Sequence, residues 1–175
     1  MEKKIFYVLL AGVFMCACDE IDELLTFRVN DRTNIRIEST SPLNLPLEVP
    51  TPAVTSDSRQ QFENNNTNAD LVRDVKLEQL KLTITQPSGK TFSFLKSIRI
   101  FISTDQNAEM QLASLDNIST NSGSVDLVPV QEKLDPYIKA PAYRLRTQIT
   151  TDETLTQDVD VQVDLRFKVT ANTFK

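Results

Sequence analysis

"DVDVQVDLRFKVT", residues 158–170, alternates apolar and polar side chains along its whole length. Val159, Val161, Val163, Leu165, Phe167 and Val169 take one set of positions, and Asp158, Asp160, Gln162, Asp164, Arg166 and Lys168 take the other. A period of two belongs to a β-strand, whose successive side chains leave on opposite faces. The stretch therefore predicts a long strand with one face in a core and one in water. A one-residue slip would bury the charges, so the register is strongly specified.

Working outward, "VKLEQLKLTIT" (75–85) alternates too, but Val75 and Leu77 are out of phase with Leu80, Leu82 and Ile84, which predicts a β-bulge near Glu78–Gln79. The turn "QPSG" (86–89) leads to "SIRIFIS" (97–103), with Ile98, Ile100 and Ile102 in phase, and the two runs are expected as neighbouring strands. Weaker strands are expected at 109–115, 124–130 and 142–150. They are separated by "TNSG" (120–123) and by "LDPYIKA" (134–140), where Asp135 is placed to cap a helical turn begun by Pro136. Towards the N-terminus, "LTFRV" (25–29) and "NIRIES" (34–39) predict a short hairpin around "NDRT" (30–33). Residues 39–67 contain Pro42, Pro46, Pro50 and Pro52 and a polar, Asn-rich end. Proline cannot donate to a central ladder, so this region is expected as a loop or an edge.

Together these features predict an all-β fold over residues 25–175: an antiparallel β-sandwich, immunoglobulin-like in architecture, with short helical turns. A transmembrane barrel shares the alternation. It fits less well, because the polar face of 158–168 is charged and the strands are few and uneven in length.

Composition excludes several chemistries. The chain has no histidine, which removes Ser-His-Asp and Cys-His catalysis and imidazole metal sites. Beyond the N-terminal segment only Gly89 and Gly123 remain, too few for a glycine-rich phosphate cradle. Asp158, Asp160 and Asp164 share one strand face; a solvated face is the expectation, and a calcium or sugar site the alternative. Phe92, Phe94, Tyr137 and Tyr143 are expected in the core, with a ligand groove as the alternative.

The N-terminus carries an address. Lys3 and Lys4 precede an apolar run from Ile5 to Met15, long enough for a secretory signal and too short to span a bilayer. Ala17–Cys18 follows, and that junction resembles the lipobox of bacterial lipoproteins, although Met15 and Cys16 stand where the family usually has Leu and Ser or Ala. The resemblance implies cleavage before Cys18 and attachment of diacylglycerol and a palmitate-type fatty acid to it, residues 1–17 being the signal. Cys16 would leave with that signal, and a single remaining cysteine makes no internal disulfide. More than one acyl chain gives stable anchoring. Asp19, Glu20, Asp22 and Glu23 lie in the tether, residues 18–24, and resemble the acidic surface-export signal of Bacteroidetes-type lipoproteins. That implies an outer-membrane protein displayed at the cell surface; the alternative is that the acids are only a solvated tether and the protein faces the periplasm.

Without residues 1–17 the chain keeps 17 of its 19 cations and 23 of its 24 acids. A net charge of about −6 disfavours nucleic acid as a partner. The expectation is a lipid-anchored, non-enzymatic binding or scaffolding module without a cofactor, an accessory subunit of an outer-membrane assembly with a protein or glycan partner. The alternative is a carboxylate-dependent glycan hydrolase or a glycan-binding module.

Overall fold

A computed structural model describes residues 24–173. Nine strands dominate them: β1 (Leu24–Ile37), β2 (Leu47–Val49), β3 (Val54–Thr55), β4 (Val72–Gln86), β5 (Leu95–Ser103), β6 (Met110–Asp116), β7 (Ser124–Pro129), β8 (Ala142–Thr151) and β9 (Val159–Asn172). Two short helices, α1 (Ser58–Asn64) and α2 (Asp135–Ile138), lie in the connections. The named strands pair antiparallel in the order β1-β9-β4-β7-β6-β5-β8-β2, with β3 also on β8. The β6–β7 joint is narrow, with Ala113 opposite Pro129 and Ser114 opposite Val128. The sheet curls there into a half-barrel around one core. The curl brings the Tyr143 ring of β8 onto Phe167 of β9, with centroids 6.3 Å apart.

β9 is the centre of the longer half. Val159, Val161, Val163, Leu165, Phe167 and Val169 are all buried, and their polar neighbours lie on the opposite, accessible face. The bulge in β4 is present: Leu77 sits opposite Phe167 and Gln79 opposite Arg166, so Glu78 is the extra residue. It re-phases the strand so that Val75, Leu77, Leu80 and Leu82 all reach the core.

Three expectations are corrected. No hairpin breaks at "NDRT": β1 runs unbroken, and each residue from Leu24 to Ile37 pairs with one from Asn172 back to Val159. Its inward positions, Phe27, Val29, Asp31, Thr33, Ile35 and Ile37, stay in phase through the polar stretch, so the partner's pattern overrides local turn preference. β4 and β5 are not neighbours, since β4 lies between β9 and β7 and β5 between β6 and β8. The link between them is not a tight turn, because Phe92 and Phe94 are fully buried in a 3₁₀ turn and carry the chain from one half of the sheet to the other. Asp135 does not cap α2. Leu134 holds the cap position, and Asp135 is the first helical residue.

The proline-rich segment supplies the edges expected of it. β2 and β3 are three and two residues long and pair only with β8. On the free edge of β1, the Gln61 amide of α1 accepts from the Asn30 N–H (3.2 Å) and donates to the Asn30 carbonyl (3.4 Å). A side chain thus satisfies backbone groups that could otherwise template another strand.

Candidate functional site

The polar face of β1, β9 and β4 is where chemistry-bearing side chains concentrate. Exact pairing sets Arg36 opposite Asp160 and Arg32 opposite Asp164. Arg36 grips Asp160 with two hydrogen bonds (2.6 and 3.0 Å), and Arg32 donates Nε–H to Asp164 at 2.6 Å. Gln162 donates to the other Asp164 oxygen at 2.7 Å. The bulge turns Glu78 towards Arg28, which holds it through Nε (2.7 Å) and Nη2 (2.8 Å).

Electrostatics follow the geometry. The Arg36 hydrogen bonds hold the Asp160 carboxyl below its ordinary range. Those from Arg28 do the same for Glu78. Partial desolvation pushes Asp164 upward, but Gln162 and Arg32 together outweigh it and its pKa ends lowered. Asp158, the residue before β9, accepts the Ser39 N–H at 2.9 Å. The face is solvated, as expected, but it is also cross-linked. Each of the three aspartates is committed to a donor, and among the described residues no three acids, cysteines or histidines gather as a metal site would require.

Next to this balanced region lies an unbalanced one. Lys168 stands opposite Arg28 on one side and Lys76 on the other, which makes a row of three cations across three strands. In the adjacent row Arg166 lies between Asn30 and Gln79. Among the described residues Lys76, Arg166 and Lys168 form no ion pair. Glu78, already held by Arg28, is the acid that feels both Arg166 and Lys168 through space. A groove of about 430 Å³ opens between Asn30, Arg32, Gln79, Lys81, Asp164 and Arg166, with the Arg32–Asp164 ion pair in its wall.

The other half of the sheet carries a self-contained network. Arg146 binds Glu109 through two nitrogens (2.7 and 2.8 Å) and Glu48 through the third (2.7 Å), and its guanidinium lies 4.0 Å from the Phe101 ring centre. Glu109 is accordingly held below its ordinary pKa by Arg146.

Inside the curl, β1 presents a carboxylate to the core. Asp31 Oδ2 accepts the Tyr143 hydroxyl at 2.8 Å and the Ser56 hydroxyl at 3.2 Å, which joins the first strand of the sheet to β8 and to the residue after β3. Burial raises the Asp31 pKa despite both donors. Tyr143 is raised as well, by burial and then by the carboxylate beside it. Asp74 and Asp135 form an acid pair elsewhere in the fold. Each keeps one Oδ1 buried without a partner, and the Asp135 pKa is raised by burial and further by Asp74. Lys139, whose charge partly offsets that rise, donates to the Val72 carbonyl at 2.9 Å, and neither acid lines the groove.

Phe92, Phe94, Tyr137 and Tyr143 are buried in the core. Cys18, Asp19, Glu20, Asp22 and Glu23 lie outside the described residues. Sequence reasoning missed Asp31 and the cation row. The signal was the unbroken phase of Phe27, Val29, Thr33, Ile35 and Ile37, which places Asp31 inward and Arg28, Arg32 and Arg36 outward against β9.

No family model matches the chain, and no curated protein does. Among solved structures, a chain of turnip yellow mosaic virus determined at 100 K is similar at 12% identity over 86% of this chain and 97% of that one, with a TM-score of 0.28. So low a score carries no argument about function. Among the described residues no helix is long and apolar enough to cross a membrane.

Proposed function

We propose that the protein is a lipid-anchored module of the cell envelope that binds or scaffolds through the outer faces of its sheet, without a catalytic centre. The carrying observation is the state of the acids. Glycoside hydrolysis by a carboxylate pair needs one protonated acid and one free base flanking a bound sugar. On the β9 face Asp160 and Asp164 are held ionised by arginines, and inside the curl Asp31 is engaged by two hydroxyls. The anchor reading rests on the Ala17–Cys18 junction in the sequence; β1 starts at Leu24, six residues on. Such a link keeps the sheet within about 20 Å of the membrane at full extension. The acids at 19–23 are read as the surface-export signal. The sandwich reading, immunoglobulin-like in architecture, is supported by the packing of Tyr143 on Phe167 across the core.

Labelled palmitate supplied to cells making the protein is expected to enter the wild-type chain and Cys16→Ala, but not Cys18→Ala. Label persisting in Cys18→Ala would remove the anchor from the proposal. Loss of label from Cys16→Ala would move the anchor to the other cysteine.

A further inference from the structure

We infer that the groove beside the Arg28–Lys168–Lys76 row is a binding site for an acidic polysaccharide, a chain of sugars bearing carboxylates. The inference deepens the binding-module reading and rests on it, although it does not depend on the anchor.

Its first support is an electrostatic arrangement that folding alone does not explain. Like charges directly opposite one another in a sheet are destabilising. Here Lys168 has a cation opposite it on both neighbouring strands, in a chain whose acids outnumber its bases by 24 to 19. Glu78 is shared among Arg28, Arg166 and Lys168, and Arg28 already takes both its oxygens. Two of the row's three cations, Lys168 and Lys76, are therefore left without an ion-pair partner among the described residues, and a bound anion would supply one. The β-bulge places this unbalanced region immediately beside the groove.

The second support is the character of the lining. The Asn30 amide and the side-chain carbonyl of Gln79, whose Nε2 donates to Asp126 at 2.7 Å, flank Arg166 across the strands, so groups able to bond sugar hydroxyls lie beside a guanidinium able to bond a carboxylate. Strands are spaced about 4.8 Å apart and same-face residues about 6.8 Å along a strand, so the cations form a grid suited to a ligand with repeated charges. No aromatic residue stands on the outward positions of β1, β9 or β4, and the stacking platform typical of single-stranded nucleic acid is missing from this face. An extended anionic membrane would meet the net-negative remainder of the protein. A narrow chain meets only the row, because charges beyond about 8 Å are screened at physiological salt.

The test uses the full-length protein in detergent and four probes: polygalacturonate, neutral dextran, poly-L-glutamate and single-stranded DNA. Binding is expected for polygalacturonate, weakening at least about tenfold at high salt, with none for dextran. Binding of poly-L-glutamate or DNA as tight as that of polygalacturonate would overturn the sugar assignment, and no binding of polygalacturonate would overturn the site. Lys168→Glu supplies the control for folding. It places an acid between Arg28 and Lys76, so its melting temperature should equal or exceed wild type while polygalacturonate binding falls at least about tenfold. Unchanged binding in that folded variant would sink the proposal. Labelling of Cys18 is unaffected by either result, so failure here is separable from failure of the anchor.

Discussion

β1 and β9 are partners residue for residue over fourteen positions, yet one announces itself in the sequence and the other does not. β9 places valine, leucine or phenylalanine at every inward position from Val159 to Val169 and polar residues at every outward one. β1 places Asp31 and Thr33 inward and passes through "NDRT", whose residue types favour turns. Both make the same ladder. A strand can therefore carry polar residues in its inner phase when its partner is strongly patterned and when the polar groups find donors inside. Asp31 meets that second condition through Tyr143 and Ser56, which come from the far end of the sheet. The locally weaker strand is the one that fastens the curl.

The largest test of this contrast puts an inward carboxylate on the other strand. Val163 is 1% exposed, and it stands between Leu82 of β4 and Thr33 of β1, whose one hydroxyl is the polar group directly opposite. Val163→Asp should cost about 4 kcal/mol or more, because it removes a buried side chain and desolvates a carboxylate with at most one hydroxyl opposite it in place of the two that hold Asp31. Urea melts would read the loss. A cost near zero would mean that inward polarity is tolerated anywhere in the sheet, and Asp31 would then need no special explanation.

Asp31 itself comes next. Asp31→Ala leaves the Tyr143 hydroxyl buried without its acceptor and should cost about 2 kcal/mol, whereas Asp31→Asn keeps an acceptor and removes the charge. The two differ in pH behaviour. Because burial raises the Asp31 pKa, the folded state holds this proton more tightly than the unfolded chain does. The resulting stability is complete below the ordinary carboxylate range and is lost as pH rises through the folded value. Asp31→Asn should gain on wild type from about pH 4 upward and then level off. Glu78, Asp160 and Asp164 act in the opposite direction, with lowered pKa values and stability that disappears as pH falls, and they are common to both proteins. A constant offset between the melting curves at all pH values would show that the carboxylate is not desolvated in the fold.

The same contrast explains what was legible. The period of two located β4 and its bulge, β5 and β9, because in each the apolar phase is nearly unbroken, whereas β8, with Thr147 and Thr151 among its inward residues, was legible only as a weaker strand. It failed at "NDRT", where residue type outvoted phase, and at the β4–β5 connection. There the buried Phe92 and Phe94 make a crossing between halves resemble the end of a hairpin. The cation row was hidden for a different reason. Arg28, Lys76 and Lys168 are far apart in the sequence, and only the register of three strands aligns them. Alternation tells which face a side chain takes; it says nothing about which residues will stand beside it.

The smallest expected effect concerns the outward face of the same two strands. The Arg32–Asp164 contact is short at 2.6 Å, but the arginine side chain is 66% exposed. An exposed pair gains little in high dielectric, and ordering a long side chain offsets part of it. Asp164 also keeps its Gln162 hydrogen bond when the arginine is removed. Arg32→Ala should therefore shift stability by no more than about 0.5 kcal/mol. If that change matched the cost of Asp31→Ala, one position away, the outward ladder rather than the inward phase would be holding β1 on β9. The account of why "NDRT" forms a strand would then pass from the buried carboxylate to the surface pairs.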